Sequence, residues 1–129
     1  MFSEEIKRIL IQIGWQSVLL PGELIEMWEG FVNECSSGYE MNIYEYENDL
    51  SVRNVIETIL TSNELKVYPE YFNFKESIQT IDNSFKKLLS EKYSRNDRIS
   101  WWEKGVLSKA GIEYTSDIKA LYGIEIKHE

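Results

Sequence analysis

Tyr39-Glu40-Met41-Asn42-Ile43-Tyr44-Glu45-Tyr46 is the stretch that decides whether this chain is all helical or carries a sheet. Tyr39, Met41 and Ile43 alternate with Glu40, Asn42, Tyr44 and Tyr46, and a period of two reads as a strand with one face on the core. Glu45 and Glu47 continue the core-side parity and mark the strand end. Ser36-Ser37-Gly38 precedes this stretch as a break, and Asn48-Asp49 follows it as a turn and N-cap.

Outward from it the period is helical. Upstream, Pro21-Gly22 opens a run in which Leu24, Ile25, Trp28, Phe31, Val32 and Cys35 share an arc about 120° wide at 100° per residue. Its opposite arc holds Glu23, Glu26, Glu29 and Glu34. A first amphipathic helix spans residues 3 to 13, with Ser3 as N-cap, Ile6, Ile9, Leu10 and Ile13 on one face, and Gly14 as the stop.

Downstream, Val52, Val55, Ile56, Ile59 and Leu60 share a helical face that ends near Ser62-Asn63. Residues 64 to 72 are ambiguous, because Leu65, Val67 and Tyr68 favour extended backbone whereas Pro69 excludes a central ladder position. Asn73 and Glu76 have the spacing of a helix start, and Phe74, Ile78, Ile81, Phe85, Leu88 and Leu89 extend a stripe to about Lys92. Beyond a polar break at residues 94 to 98, Ser100 and Glu103 have capping-box spacing for a helix through Val106 and Leu107 that Gly111 ends. Ser116 to Gly123 outlines a last short helix, and Ile124-Glu125-Ile126 a strand beside residues 39 to 46. The expected fold is a single, predominantly helical α+β domain over 1–129, with five or six helices and a small sheet or hairpin around residues 39–46.

Charge supplies the functional clue. The 44 residues between Arg8 and Arg53 contain no lysine or arginine but eight acids: Glu23, Glu26, Glu29, Glu34, Glu40, Glu45, Glu47 and Asp49. Acids and bases balance at 14 each in the rest of the chain, so this stretch carries the whole net charge of -8. A one-sided field with nothing inside the stretch to neutralise it costs stability through self-repulsion, and it steers association with basic partners. The same field disfavours direct binding to nucleic acid or to an anionic membrane, which need clustered Lys and Arg.

Catalytic and metal-binding patterns are sparse. His128, the sole histidine, lies one residue from the end of the sequence, where a chain is usually mobile, whereas an active-site base must be held within hydrogen-bond reach of its nucleophile. Cys35 falls on an apolar helical stripe and reads as core; with one cysteine no internal disulfide forms, which fits a reducing compartment. One Cys and one His cannot make a standard zinc site, and no phosphate-binding glycine loop is present. Glu45, Glu47 and Asp49 alternate like calcium ligands, but Leu50 and Ile56 stand where an EF-hand needs Gly and Glu. No cofactor is expected. No apolar run approaches the roughly 20 residues of a membrane span, and acids at Glu4 and Glu5 argue against a secretory signal, so a cytoplasmic location is expected.

Recognition suits the pattern better than catalysis. In Tyr44-Glu45-Tyr46-Glu47-Asn48-Asp49, tyrosines offer contact area at low rotamer cost beside carboxylates that accept from Arg or Lys. Glu40, Tyr44, Glu45, Tyr46, Glu47 and Asp49, with Trp101, are the candidate partner contacts; Glu23, Glu26, Glu29 and Glu34 form the steering face. The bland reading is that the tyrosines pack internally and the acids are merely solvated, and Trp101 has the same alternative.

In size, acidity, cysteine content, missing catalytic motifs and the patch from Tyr44 to Asp49, the whole chain resembles the small acidic immunity proteins that bacteria keep beside polymorphic or contact-dependent growth inhibition toxins. The resemblance implies no catalysis and one-to-one binding to a cognate, basic toxin domain such as a nuclease, covering its active or substrate-binding surface. Two alternatives stand beside it: an acidic adaptor or nucleic-acid mimic with several basic partners, and a hydrolase using paired carboxylates drawn from Glu40, Glu45 and Glu47.

Overall fold

A computed structural model describes residues 1–15 and 19–128. Its architecture is α+β and predominantly helical. Six helices have eight or more residues: α1 (Phe2–Gln12), α2 (Pro21–Ser36), α3 (Ile43–Leu50), α4 (Val52–Leu60), α5 (Pro69–Lys86) and, after the four-residue α6 (Trp101–Lys104), α7 (Ile112–Tyr122). Leu65–Val67 forms a 3-10 turn. No helix among the described residues is long and apolar enough to cross a membrane.

The helical stripes explain the packing. Leu24, Trp28, Phe31, Val32 and Cys35 of α2 are buried against α5, which presents Tyr71, Phe74, Ile78, Ile81 and Phe85. Spacings of three and four residues put each set on one side of its helix. Pro21 and Pro69 occupy first helical positions, where a missing N–H costs nothing. Gly14 and Gly123, both at positive φ, follow the ends of α1 and α7. The buried apolar side chains form one contiguous cluster. At its centre the Phe31 ring lies 5.4 to 5.8 Å from the rings of Trp28, Tyr39, Tyr46 and Phe85.

The sheet is not where the sequence period places it. Residues 43–50 are helix α3, and Asn42 caps it: its Oδ1 accepts from the Glu45 N–H at 2.9 Å. Asp117 of α7 takes a second free donor, the Ile43 N–H, at 3.0 Å. The buried residues Ile43, Tyr46 and Leu50 then follow helical spacing, and Met41, on the core side of the expected strand, is exposed. Asn48 and Asp49 consequently lie inside α3, and Ser51 forms the junction with α4.

Strands form later in the chain. β1 (Leu89–Ser94) pairs antiparallel with β2 (Gly105–Leu107), and β3 (Lys109–Ala110) pairs parallel with β4 (Lys127–His128). The stripe expected to run to Lys92 as helix therefore stops at Lys86. Ser108 N donates to Leu88 O at 2.9 Å, tying the β1 entrance to the β2 exit. Gly105, Val106 and Leu107 are buried in succession, which suits a covered strand and not an amphipathic helix. The strand expected at Ile124-Glu125-Ile126 lies two or three residues further on, beside β3 and not beside residues 39–46. Ser3 lies within α1, whose cap position is Met1. Gly111 is the N-cap of α7 and not a helix stop. A Cβ there would lie 2.8 Å from Tyr39 O and 2.9 Å from Glu40 Cα, and its N–H donates to Tyr39 O at 2.7 Å. Glycine thus lets α7 dock against the segment that leads into α3.

Candidate functional site

The exposed side of α2, the 37–42 connection, the first turn of α3 and the first turns of α7 carry Glu26, Glu29, Glu34, Glu40, Glu45 and Glu113, and these segments contain no lysine or arginine. Three concavities mark them. The largest, about 550 Å³, lies between α2 and the α3–α4 junction and is lined by Glu26, Met27, Gly30, Phe31, Glu34 and Asp49, among others. A second of about 470 Å³ shares Gly30 and Glu34 with it and adds Glu40 and Met41. A third of about 350 Å³ lies between Tyr44 and the start of α7, where Ile112, Glu113 and Asp117 contribute. Among the described residues none of the three linings contains a lysine or arginine. Each groove offers oxygen acceptors above partly apolar walls, an arrangement that receives donors and cations on aliphatic stems.

The ion pairs sharpen this asymmetry. All four arginines meet carboxylates: Arg8 with Glu5 and Glu64, Arg53 with Glu57 and Asp82, Arg95 with Glu47, and Arg98 with Glu47 and Asp97. Among the described residues Glu26, Glu29, Glu34, Glu40 and Glu45 enter no ion pair. They are all exposed.

The candidate contacts divide accordingly. Tyr44 is 75% exposed, and Glu40 and Glu45 are exposed beside it in sequence. Glu45 also sits in the first turn of α3, where the helix dipole favours a negative charge. Tyr46 is corrected: at 0% exposure it is a core residue, its ring 4.8 Å from that of Tyr114, and it cannot serve as a surface contact. Glu47 is half-buried and its Oε1 holds both Arg95 and Arg98, so the acidic stretch is partly neutralised from outside itself. Arg95 is 1% exposed and also donates to the Glu103 carbonyl through Nε at 2.9 Å. Asp49 lines the largest groove and accepts from Tyr39 Oη at 2.9 Å. Burial, and then that hydrogen bond, push the Tyr39 phenol well up. Trp101 is absent from all three linings: its half-buried ring packs 6.2 Å from Phe85 with the Lys86 ammonium 4.6 Å above it.

Of the steering face, Glu26 and Glu34 line grooves. Glu29 is exposed outside these linings, and Glu23 folds back so that Oε1 accepts from Leu20 N at 2.9 Å. Cys35 is buried, and its thiol is pushed up by burial, with Glu34 and Asp49 adding to the shift. His128 is exposed in β4. No group of three or more His, Cys, Asp or Glu among the described residues is placed to hold a metal ion.

Several surface members carry no sequence signal of their own. Met27 and Met41 are large and exposed, and Ile112 is 65% exposed at the first position of α7. Ile112, Glu113, Ser116 and Asp117 join this surface because α7 packs on α3, with Asp117 capping Ile43. Compared with protein-family models, with curated proteins and with solved structures, the chain matches none.

Proposed function

We propose that this chain acts by stoichiometric binding, as an immunity-type inhibitor that covers the active or substrate-binding surface of one basic toxin domain, such as a nuclease. The observation that carries the reading is the pair of adjoining grooves lined by Glu26, Glu34 and Glu40, acids that have no ion-pair partner among the described residues while all four arginines are paired. Carboxylates held this way attract a cationic surface over a Debye length of about 8 Å at physiological salt. They raise association rates and disfavour acidic competitors. Tyr44, Met27, Met41 and Ile112 supply exposed apolar area for short-range contact once the surfaces meet.

The test is affinity capture of the tagged chain from the cells that make it, at low and high salt, with wild type beside a Glu26→Gln/Glu34→Gln/Glu40→Gln variant. One basic partner held one to one by wild type, released by the variant, and active as a toxin only when freed supports the reading. Several salt-sensitive partners point instead to an acidic adaptor. Capture that ignores both salt and the variant overturns the acidic surface as the binding site.

A further inference from the structure

The interior of α2 contains a glycine that the fold itself does not require. Gly111 and Gly105 are constrained by neighbours, since an added Cβ would strike the backbone at Tyr39 or the Leu89 side chain, and Gly14, Gly38 and Gly123 adopt positive φ. Gly22 and Gly30 of α2 have neither reason, since φ is not positive and a Cβ at either meets nothing within 4 Å; Gly22 lies in the first turn, whereas Gly30 sits in the middle of the 16-residue helix. Glycine at such a position weakens a helix relative to alanine, because it surrenders more backbone freedom on folding.

Its surroundings suggest what the missing side chain leaves room for. Gly30 lines both of the adjoining grooves. Glu26 and Glu34 stand four residues to either side, so the three form one ridge along the helix with a notch at its centre and carboxylates about 12 Å apart along the axis. Met27 and Phe31 flank the notch within the larger groove.

We infer that Gly30 is a crossing point, at which a polypeptide segment of the basic partner lies across α2 with its backbone in the notch and arginine or lysine side chains reaching Glu26 and Glu34. Charge complementarity selects the sign of the occupant, since among the described residues neither acid has an ion-pair partner and no base lines either groove. The notch selects its kind. A free polyamine or a metal ion would be held by the carboxylates alone and would gain nothing from a missing Cβ, whereas close approach of a second backbone is what glycine permits. The inference rests on the binding role proposed above and gives it an address.

The experiment is a titration of the isotope-labelled full chain, followed by amide NMR at low salt, with a nine-arginine peptide and in parallel with spermine, a polycation that lacks a backbone. Wild type is compared with Gly30→Leu, with Gly30→Ala as the smaller change should leucine disturb the helix, and with Glu26→Gln/Glu34→Gln. The peptide should shift amides centred on residues 26–34. Gly30→Leu should weaken the peptide by about fivefold while leaving spermine unchanged, with no loss of melting temperature, and Gly30→Ala should show a smaller loss of the same kind. The double glutamine variant should weaken both ligands. Equal peptide affinity for wild type and the Gly30 variants overturns the crossing point but leaves the acidic surface standing. Shifts elsewhere that survive the double glutamine variant overturn the crossing point and the acidic surface together.

Discussion

Arg53 of α4 and Asp82 of α5 meet as a buried two-pronged ion pair, Nε to Oδ1 at 3.0 Å and the second guanidinium nitrogen to Oδ2 at 2.9 Å. Trp28 of α2 donates Nε1–H to the same Oδ1 at 3.0 Å, so one carboxylate ties three helices together. The guanidinium carbon lies 4.3 Å from the centre of the Trp102 ring. That aromatic lid limits water, and it makes each charge depend on the other.

Removing one member of the pair should therefore be severe. Asp82→Ala leaves Arg53 charged and enclosed and is expected to cost about 3–5 kcal/mol in a denaturant titration. The double variant Arg53→Met/Asp82→Leu should lose less than the single one. A larger loss in the double variant would mean that packing around the pair, and not the uncompensated charge, sets the cost.

Two glycines should respond with opposite signs. Gly111→Ala forces a methyl group onto backbone atoms of residues 39 and 40 and is expected to destabilise by about 2–3 kcal/mol. Gly30→Ala fills empty space on a helix and should stabilise by about 0.5–1 kcal/mol. Thermal melts of the two variants against wild type check both signs at once.

Glu47 and Glu34 are both acids of the base-free stretch, yet their replacement should read out differently. Glu47→Gln strips the charge partner from the enclosed Arg95, so the expected effect is a loss of stability of about 2 kcal/mol or more, whether or not a partner is present. Glu26→Gln/Glu34→Gln should leave stability within about 0.5 kcal/mol and instead slow association with a basic partner and flatten its salt dependence. Stopped-flow association and denaturant midpoints on the same samples separate the two roles.

High pH should weaken the fold in a defined window. Burial is the chief reason that Tyr46, Tyr114 and Tyr39 have raised phenol values, Tyr114 to about 12. Unfolded tyrosine ionises near pH 10. Below that value all three are protonated in both states and add no pH dependence. Above it the unfolded chain loses protons that the folded chain keeps, and stability should fall by about 1.4 kcal/mol per pH unit for each tyrosine until the folded values are reached. Denaturant midpoints at a series of pH values above and below 10 should show that slope, and Tyr46→Phe should remove part of it.

The sequence by itself determined the helices whose apolar spacing was unbroken and the one-sided placement of charge. Leu24 to Cys35 and Val52 to Ile59 read correctly because a stripe recurring every three or four residues can be buried in only one backbone geometry. The acids of α2 fell on the opposite arc for the same reason. The buried stripe of α5 from Phe74 to Phe85 was legible too, although neither end was: the helix opens at Pro69 and buries Tyr71 ahead of the Asn73 start, while Leu88 and Leu89 keep the helical period although their backbone partners, Ser108 and Leu107, lie at the end of β2.

Only the tertiary structure decided the stretch from Tyr39 to Tyr46. Its alternation and its Asn42-to-Glu45 capping spacing favour different backbones, and the competition is settled by Asp117, which caps Ile43 from α7, and by Gly111, whose missing side chain lets the segment dock. That outcome turned Tyr46 inward and left Tyr44 exposed, and it brought Ile112 and Asp117 to the acidic surface. Glu47 was likewise taken up by arginines 48 and 51 residues away. Local spacing fixes which side chains share a face of one element, whereas the identity of the neighbour opposite that face depends on long-range pairing that no local period encodes.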